Sequence, residues 1–143
     1  FSIVMAVRLP PETMNTDSAT SHLWMRGWHT PRFLPAVCHT VLLRSDGSAV
    51  AIGQNGDGQC NIPALEDGMA YTQISAGFGY TVLLRSDGSA VAIGDNECGQ
   101  CDIPPLDEGM TYVQVSAGLA HTVLVRSDGS AVAIGQNKEG QCD

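Results

Sequence analysis

Cationic side chains are scarce in this chain. Its 143 residues carry seven Lys and Arg against 15 Asp and Glu, a formal net charge of −8. Binding to a phosphate backbone depends on clustered Lys and Arg, so this balance argues against a nucleic-acid module. Charged residues of both signs make up only 15% and aromatics 6%. Long charged helix formers are therefore few, and 16 glycines favour turns and strands instead. Long apolar runs are missing too. The longest, Phe1 to Val7, falls far short of the ~20 residues that span a bilayer. What is present excludes a disordered tail, because 43% of the residues are hydrophobic. The size suits one ordinary domain.

The charge is unevenly placed. Residues 1–38 hold Arg8, Arg26 and Arg32 against Glu12 and Asp17, a net of +1. Residues 39–143 hold Arg44, Arg85, Arg126 and Lys138 against thirteen acids, a net of −9. A boundary near residue 38 follows. The chain opens on Phe1 and stops at Asp143 inside a repeated pattern, so it reads as a fragment.

That pattern organises everything after residue 38. His39 to Gly53 recurs as Tyr80 to Gly94 and as His121 to Gly135, a spacing of 41 residues both times. Units 39–79 and 80–120 share 28 of 41 positions, where chance would give roughly one in fifteen. The third unit, 121–143, is truncated. Thr40–Ser45 and Ser48–Gly53 read as a hairpin around Asp46-Gly47, a dipeptide suited to a two-residue type I′ turn. In that register Ser45 faces Ser48, Leu43 faces Val50 and Val41 faces Ile52. One face then holds Val41, Leu43, Val50 and Ile52, and the other Thr40, Leu42, Arg44, Ala49 and Ala51. Both are largely apolar, so the sheet needs cover on both sides. Tyr71–Ala76 and Tyr112–Ala117 read as a further strand. The Gly-, Asn- and Pro-rich stretch Gln54–Gly68 reads as a long exposed connection with at most a short edge strand. A small antiparallel sheet repeated every 41 residues and buried on both faces is the pattern of propeller blades.

Ser75-Ala-Gly77 with Thr81, the hairpin that follows, and Gly94-Asp-Asn-x-x-Gly-Gln100 resemble the repeat of the regulator of chromosome condensation, the RCC1 family. The resemblance covers residues 39–143, with departures. Ile52, Ile93 and Ile134 stand where the family has Trp. Cys60-Asn61, Cys101-Asp102 and Cys142-Asp143 replace its Leu-Gly, and Pro35-Ala36 replaces the Ala-Gly expected before His39. It implies an all-β fold, a partial RCC1-like β-propeller of about two and a half blades, preceded by an irregular N-terminal segment, 1–38.

The candidates for chemistry reduce to scaffold roles. Cys60, Cys101 and Cys142 share one repeat position, and Cys98 with Cys101 makes a single CxxC with no second pair or histidine partner, which does not build a zinc site. Five cysteines in all do not suggest a disulfide framework. His39 and His121 share their position with Tyr80, so the site calls for an aromatic that packs and makes a hydrogen bond, not for a metal ligand or general base. Asn55-Gly-Asp57-Gly58 fails as a calcium loop, because Gly53 and Ala64 fall where the first and twelfth ligands belong. Gly77-Phe-Gly79 lacks the rest of a dinucleotide fingerprint. Arg44, Arg85 and Arg126 beside Asp46, Asp87 and Asp128 read as solvated turn charges. In the unique segment, Leu23, Trp24 and Trp28 form one face of a short helix ending near Gly27, and His22 and His29 have no recognisable partner. No catalytic residue, cofactor or metal is expected.

The expected function is therefore a non-catalytic protein–protein interaction module. Near-identical scaffold positions surround the variable positions Gln54/Asp95/Gln136, Gly56/Glu97/Lys138 and Asp57/Cys98/Glu139, which fall on one rim of the array. The alternative is a regulatory propeller fragment of a larger protein, such as a HECT-type ubiquitin ligase or a guanine-nucleotide exchange factor. The expected partner is another protein, together with the remaining blades or self-association through open end faces. Those end faces are expected to be Val41, Leu43, Val50 and Ile52 at one end, or Val123, Val125, Val132 and Ile134 at the other. Membrane and direct nucleic-acid binding are not expected. Free cysteines point to cytoplasm or nucleus.

Overall fold

The computed structural model describes residues 3–6, as backbone, and 39–143. The expected helix around Leu23, Trp24 and Trp28 lies outside the described residues, as do His22, His29 and Pro35-Ala36. Among the described residues nine strands form three three-stranded sheets in the order β1-β2-β3, β4-β5-β6 and β7-β8-β9. The first holds β1 (Ile3–Ala6), β2 (His39–Leu43) and β3 (Ala49–Gly53). The second holds β4 (Tyr71–Ala76), β5 (Tyr80–Arg85) and β6 (Ala90–Gly94). The third holds β7 (Tyr112–Ala117), β8 (His121–Arg126) and β9 (Ala131–Gly135). Strands β4 and β7 span the residues expected for the further strand. The second and third sheets each take their first strand from the end of one 41-residue unit and their hairpin from the next. The 23 residues of the third unit thus complete a sheet with β7. In the first sheet that place is taken by β1, which pairs with β2 in parallel, whereas β4 and β7 pair antiparallel with β5 and β8. A strand within residues 1–38 was not foreseen, because Ile3–Ala6 matches nothing in the repeat.

The hairpin register differs from the sequence expectation by one residue. Leu43 faces Ala49, Val41 faces Ala51 and Thr40 faces Ile52. The loop has three residues, Ser45-Asp46-Gly47. The Arg44 N–H donates to the Ser48 carbonyl at 2.8 Å, and the Gly47 N–H donates back to the Arg44 carbonyl at 3.0 Å. Gly47 sits at φ 82°, the left-handed residue that closes a type I turn with a bulge. Asp46 favours this loop, because its Oδ1 accepts both the N–H and the hydroxyl of Ser48. A one-residue slip moves one whole strand to the opposite face. The faces are therefore Val41, Leu43, Ala49 and Ala51 on one side, and Thr40, Leu42, Val50 and Ile52 on the other. The expected end-face sets mixed the two.

This register explains how the sheets stack. On the front face of the second sheet Tyr80 faces Gly94, Val82 faces Ala92 and Leu84 faces Ala90, large opposite small. That face packs on Leu124, Val132 and Ile134 of the third sheet, with Tyr112 and Val115. The front face of the first sheet, Val41, Leu43, Ala49 and Ala51, meets Leu83, Val91 and Ile93 in the same way. Small alanines leave the hollow that the neighbour's Leu, Val and Ile fill. Side chains also tie the first strands together. Ser75 Oγ accepts the Ala117 N–H at 2.9 Å, and the Gln73 amide joins the Val113 carbonyl and the Val115 N–H.

The stretch Gln54–Gly68 contains no strand and is not fully exposed. Ile62 and Leu65 pack against the core, and Gln59 is 0% exposed. The Tyr71 hydroxyl donates to the Pro63 carbonyl, which holds the return path against β4.

Candidate functional site

Strand direction fixes what lies at each end of the array. The ends of β4 and β6 and the start of β5 lie together, because Tyr80 faces Gly94 and Ala76 faces Thr81. The turn 77–79 and the connection from Asp95 onward therefore share one end. The Asp95 N–H donates to the Gly79 carbonyl at 2.9 Å, and the Gln136 N–H to the Ala120 carbonyl at 2.8 Å. Gly94 must be glycine here. Its φ is 115°, and a Cβ would sit 2.3 Å from the Gly79 oxygen.

Each connection opens with a loop built the same way. Asn55 Oδ1 accepts the Cys60 N–H and Asn55 Nδ2 donates to Asn61 Oδ1, both at 2.8 Å. Asn96 makes the matching bonds with Cys101 and Asp102, and Asn137 with Cys142 and Asp143. Gln59 Oε1 accepts the Asp57 N–H from below, as Gln100 does for Cys98 and Gln141 for Glu139. The shared cysteines close the loops. Cys60, Cys101 and Cys142 Sγ donate to the carbonyls of Gln54, Asp95 and Gln136 at 3.2–3.4 Å. Burial pushes the Cys60 thiol up, and burial with the Asp95 and Asp102 carboxylates nearby pushes Cys101 up to about 11. The Cys60 and Cys101 thiols stay protonated, the state a donor needs and a nucleophile lacks. Cys60, Cys98, Cys101 and Cys142 are all free. Among the described residues no group of three or more His, Cys, Asp and Glu is placed to hold a metal ion.

The variable positions emerge from this frame. Gln54, Gly56, Asp57, Glu97, Cys98, Lys138 and Glu139 are exposed, and Asp95 and Gln136 are half-buried. Asp95 Oδ1 accepts the Glu97 N–H, a brace peculiar to the second loop. The three loops carry Asp57, Asp95, Glu97, Asp102, Glu139 and Asp143 against Lys138 alone, so this end is strongly acidic. Two apolar residues that the sequence reading missed join them. Phe78 is 46% exposed and Leu119 is 66% exposed, at matching places in the turns that carry Gly79 and Ala120. Their signal was present, since 78 and 119 differ between otherwise matching units and sit in a glycine-rich turn.

Beneath the rim lies a polar relay between sheets. His39 Nε2 bonds to Thr81 Oγ1 at 2.8 Å, and the Thr81 hydroxyl donates to the Gln59 carbonyl at 2.9 Å. The Thr81 proton is thus committed, so His39 Nε2 is the donor and Nδ1 carries no proton. Nδ1 is buried without a partner, and desolvation lowers the His39 pKa. One sheet further, the Tyr80 hydroxyl meets Thr122 Oγ1 at 3.3 Å and the His121 carbonyl, and Thr122 donates to the Gln100 carbonyl at 2.8 Å. The aromatic and threonine positions of the repeat fasten each sheet to the next. At the two junctions His39, Tyr80, Thr81 and Thr122 are all buried.

Residues 71–100 and 112–141 match the family model of the regulator of chromosome condensation (RCC1) repeat. Known folds agree. Yeast RCC1 (Prp20), solved with Kap60 bound, superposes with a TM-score of 0.58 at 21% identity over 68% of this chain and 32% of its own. Prp20p from Saccharomyces cerevisiae, described with its binding properties to Gsp1p and histones, gives 0.59 at 20% identity over 70% and 29%. The CRINKLY WD40 ectodomain of the Arabidopsis thaliana receptor kinase ACR4 gives 0.55 at 25% identity over 68% and 36%. The chain spans about a third of the length of these relatives. No curated protein sequence matches it.

Proposed function

We propose that these RCC1 repeats, stacked as blades of a partial β-propeller, form a non-catalytic module that binds another protein through the loop rim. The observation that carries this reading is the division of labour within each loop. Asn55, Gln59 and Cys60 and their counterparts are consumed in holding the backbone, while Asp57, Glu97, Cys98, Lys138 and Glu139 point outward. Variable side chains on a fixed frame are how repeat proteins present a contact surface. The acidic charge and the exposed Phe78 and Leu119 suit a partner surface that is basic with apolar side chains. The free cysteines fit a cytoplasmic or nuclear setting.

A second reading is that the chain is a regulatory segment of a larger propeller protein, of the ubiquitin-ligase or nucleotide-exchange kind. Its support is the length comparison, about a third of each solved relative.

The test pairs capture with stability. A chain carrying Glu97→Lys, Glu139→Lys and Phe78→Ser is compared with the unaltered chain for retained proteins and for Tm. Loss of specifically retained proteins with Tm unchanged supports the rim. Retention of the same set, or unfolding of the variant, contradicts it.

A further inference from the structure

We propose that two copies of this chain bind head to tail, the front face of the third sheet receiving the back face of another copy's first sheet. The chain contains this interface twice already. At both junctions a front face of aromatic, Val, Leu and two Ala accepts a back face of Thr, Leu, Val and Ile. The front face of the third sheet repeats this set with Val125 in place of Leu: His121, Val123 and Val125 with Ala131 and Ala133. The back face of the first sheet also has the matching set, Thr40, Leu42, Val50 and Ile52. One molecule thus carries both halves of its own repeated interface, at opposite ends.

Among the described residues neither half is met. Tyr80, Val82 and Leu84 are 0–4% exposed, whereas His121, Val123 and Val125 are half-buried and Ala131 is exposed. Thr81, Leu83, Thr122 and Leu124 are all 0% exposed, whereas Thr40 and Leu42 are half-buried and Ile52 is 59% exposed. Gln59 and Gln100 lie sealed beneath the following sheet, and Gln141 in the same position is half-buried. Ser75 and Gln73 bridge to the next sheet, and their counterparts Ser116 and Gln114 are exposed.

The internal junctions specify the geometry. His121 takes Thr40 of the second copy as Tyr80 takes Thr122, and Ile52 of that copy enters the hollow over Ala131 and Ala133. The occupant is a second copy and not an arbitrary apolar surface, because the polar relay needs Thr opposite His121. A heterologous contact of this kind closes into a ring or extends. The two net-acidic chains repel at long range, so the contact strengthens as salt is raised.

Sedimentation of the 143-residue chain tests this, with far-UV circular dichroism to confirm folding. Ile52→Arg and Ala131→Arg each block one end at a residue that is already exposed. Between about 1 and 500 μM, a range covering weak to moderate affinity, the unaltered chain is expected to rise from 15.1 kDa toward at least twice that mass, more steeply at high salt. Each variant alone is expected to stay at the mass of one chain, and their mixture to form a pair and go no further. The proposal is overturned if the unaltered chain stays monomeric throughout. It is also overturned if either variant alone associates as the unaltered chain does, or if the mixture does not pair. None of these outcomes depends on the rim loops, so the test stands apart from the function proposed above.

Discussion

His39 and Tyr80 perform one task with two chemistries, and acid separates them. His39 is held neutral in the fold, with its pKa below the ordinary 6.5 because burial disfavours the charged ring. In the unfolded chain it titrates near 6.5. Stability from this site is therefore complete above pH 6.5, declines as the unfolded ring takes up a proton, and levels off below the lowered native pKa. His39→Tyr copies the residue at position 80 and removes that dependence. Chemical denaturation from pH 7.5 to 5 should show the unaltered chain losing more stability than the variant. Equal slopes would show that His39 is not the group responsible. The turn aspartates act lower on the scale. Asp46 and Asp87 are held below the usual carboxylate range, first by the hydroxyl and then by the N–H of Ser48 and Ser89. Their contribution is present above about pH 4 and disappears as pH falls through the lowered native values. The threonines offer a cleaner test. Thr122→Val keeps the shape and deletes the bond to the Gln100 carbonyl, leaving a buried acceptor unpaired, so a loss of about 1–3 kcal/mol is expected in denaturant titration.

At the scale of the element, the hairpin shows where reading a sequence succeeds and where it stops. The strands around Asp46, Asp87 and Asp128 were legible from β-branched residues and the Asp-Gly signal, and Tyr71–Ala76 from the residues before Gly77. The register was not. Asp-Gly serves a two-residue turn or the last two places of a three-residue loop, and the choice rests on Asp46 accepting from Ser48, a side-chain geometry that spacing does not encode. Gln54–Gly68 failed for another reason. Its glycines and polar residues read as solvent-facing, but Gln59 is buried beneath Gly94 and accepts the Asp57 N–H from inside the loop. Variation between units pointed to loop positions that are mostly exposed, whereas the same variation at Phe78 and Leu119, in the turns after β4 and β7, was left unread. Gly94→Ala tests the loop junction. A Cβ there meets the Gly79 oxygen and the residue keeps a positive φ, so a loss of about 2–4 kcal/mol is expected in equilibrium unfolding. A near-neutral result would mean that the rim backbone is free to shift.

Across the whole molecule, stability is expected to come from the stacking of neighbouring sheets. Leu83 and Leu124 are fully buried at the two junctions, and either changed to Ala should cost about 2–5 kcal/mol. Unfolding followed by hydrogen exchange should then open the sheets on both sides of the altered junction before the third, since repeats depend on their neighbours. Substitutions at Glu97 or Glu139 should leave that profile unchanged. The most direct measurement of the central claim is contact itself. A photo-crosslinking side chain placed at position 97 or 139, on the loop rim, is compared with one at position 87, in the exposed hairpin turn at the opposite end. The account predicts a discrete covalent adduct with another protein from positions 97 and 139 and none from 87. Adducts from 87 alone, or from none of the three, would contradict it.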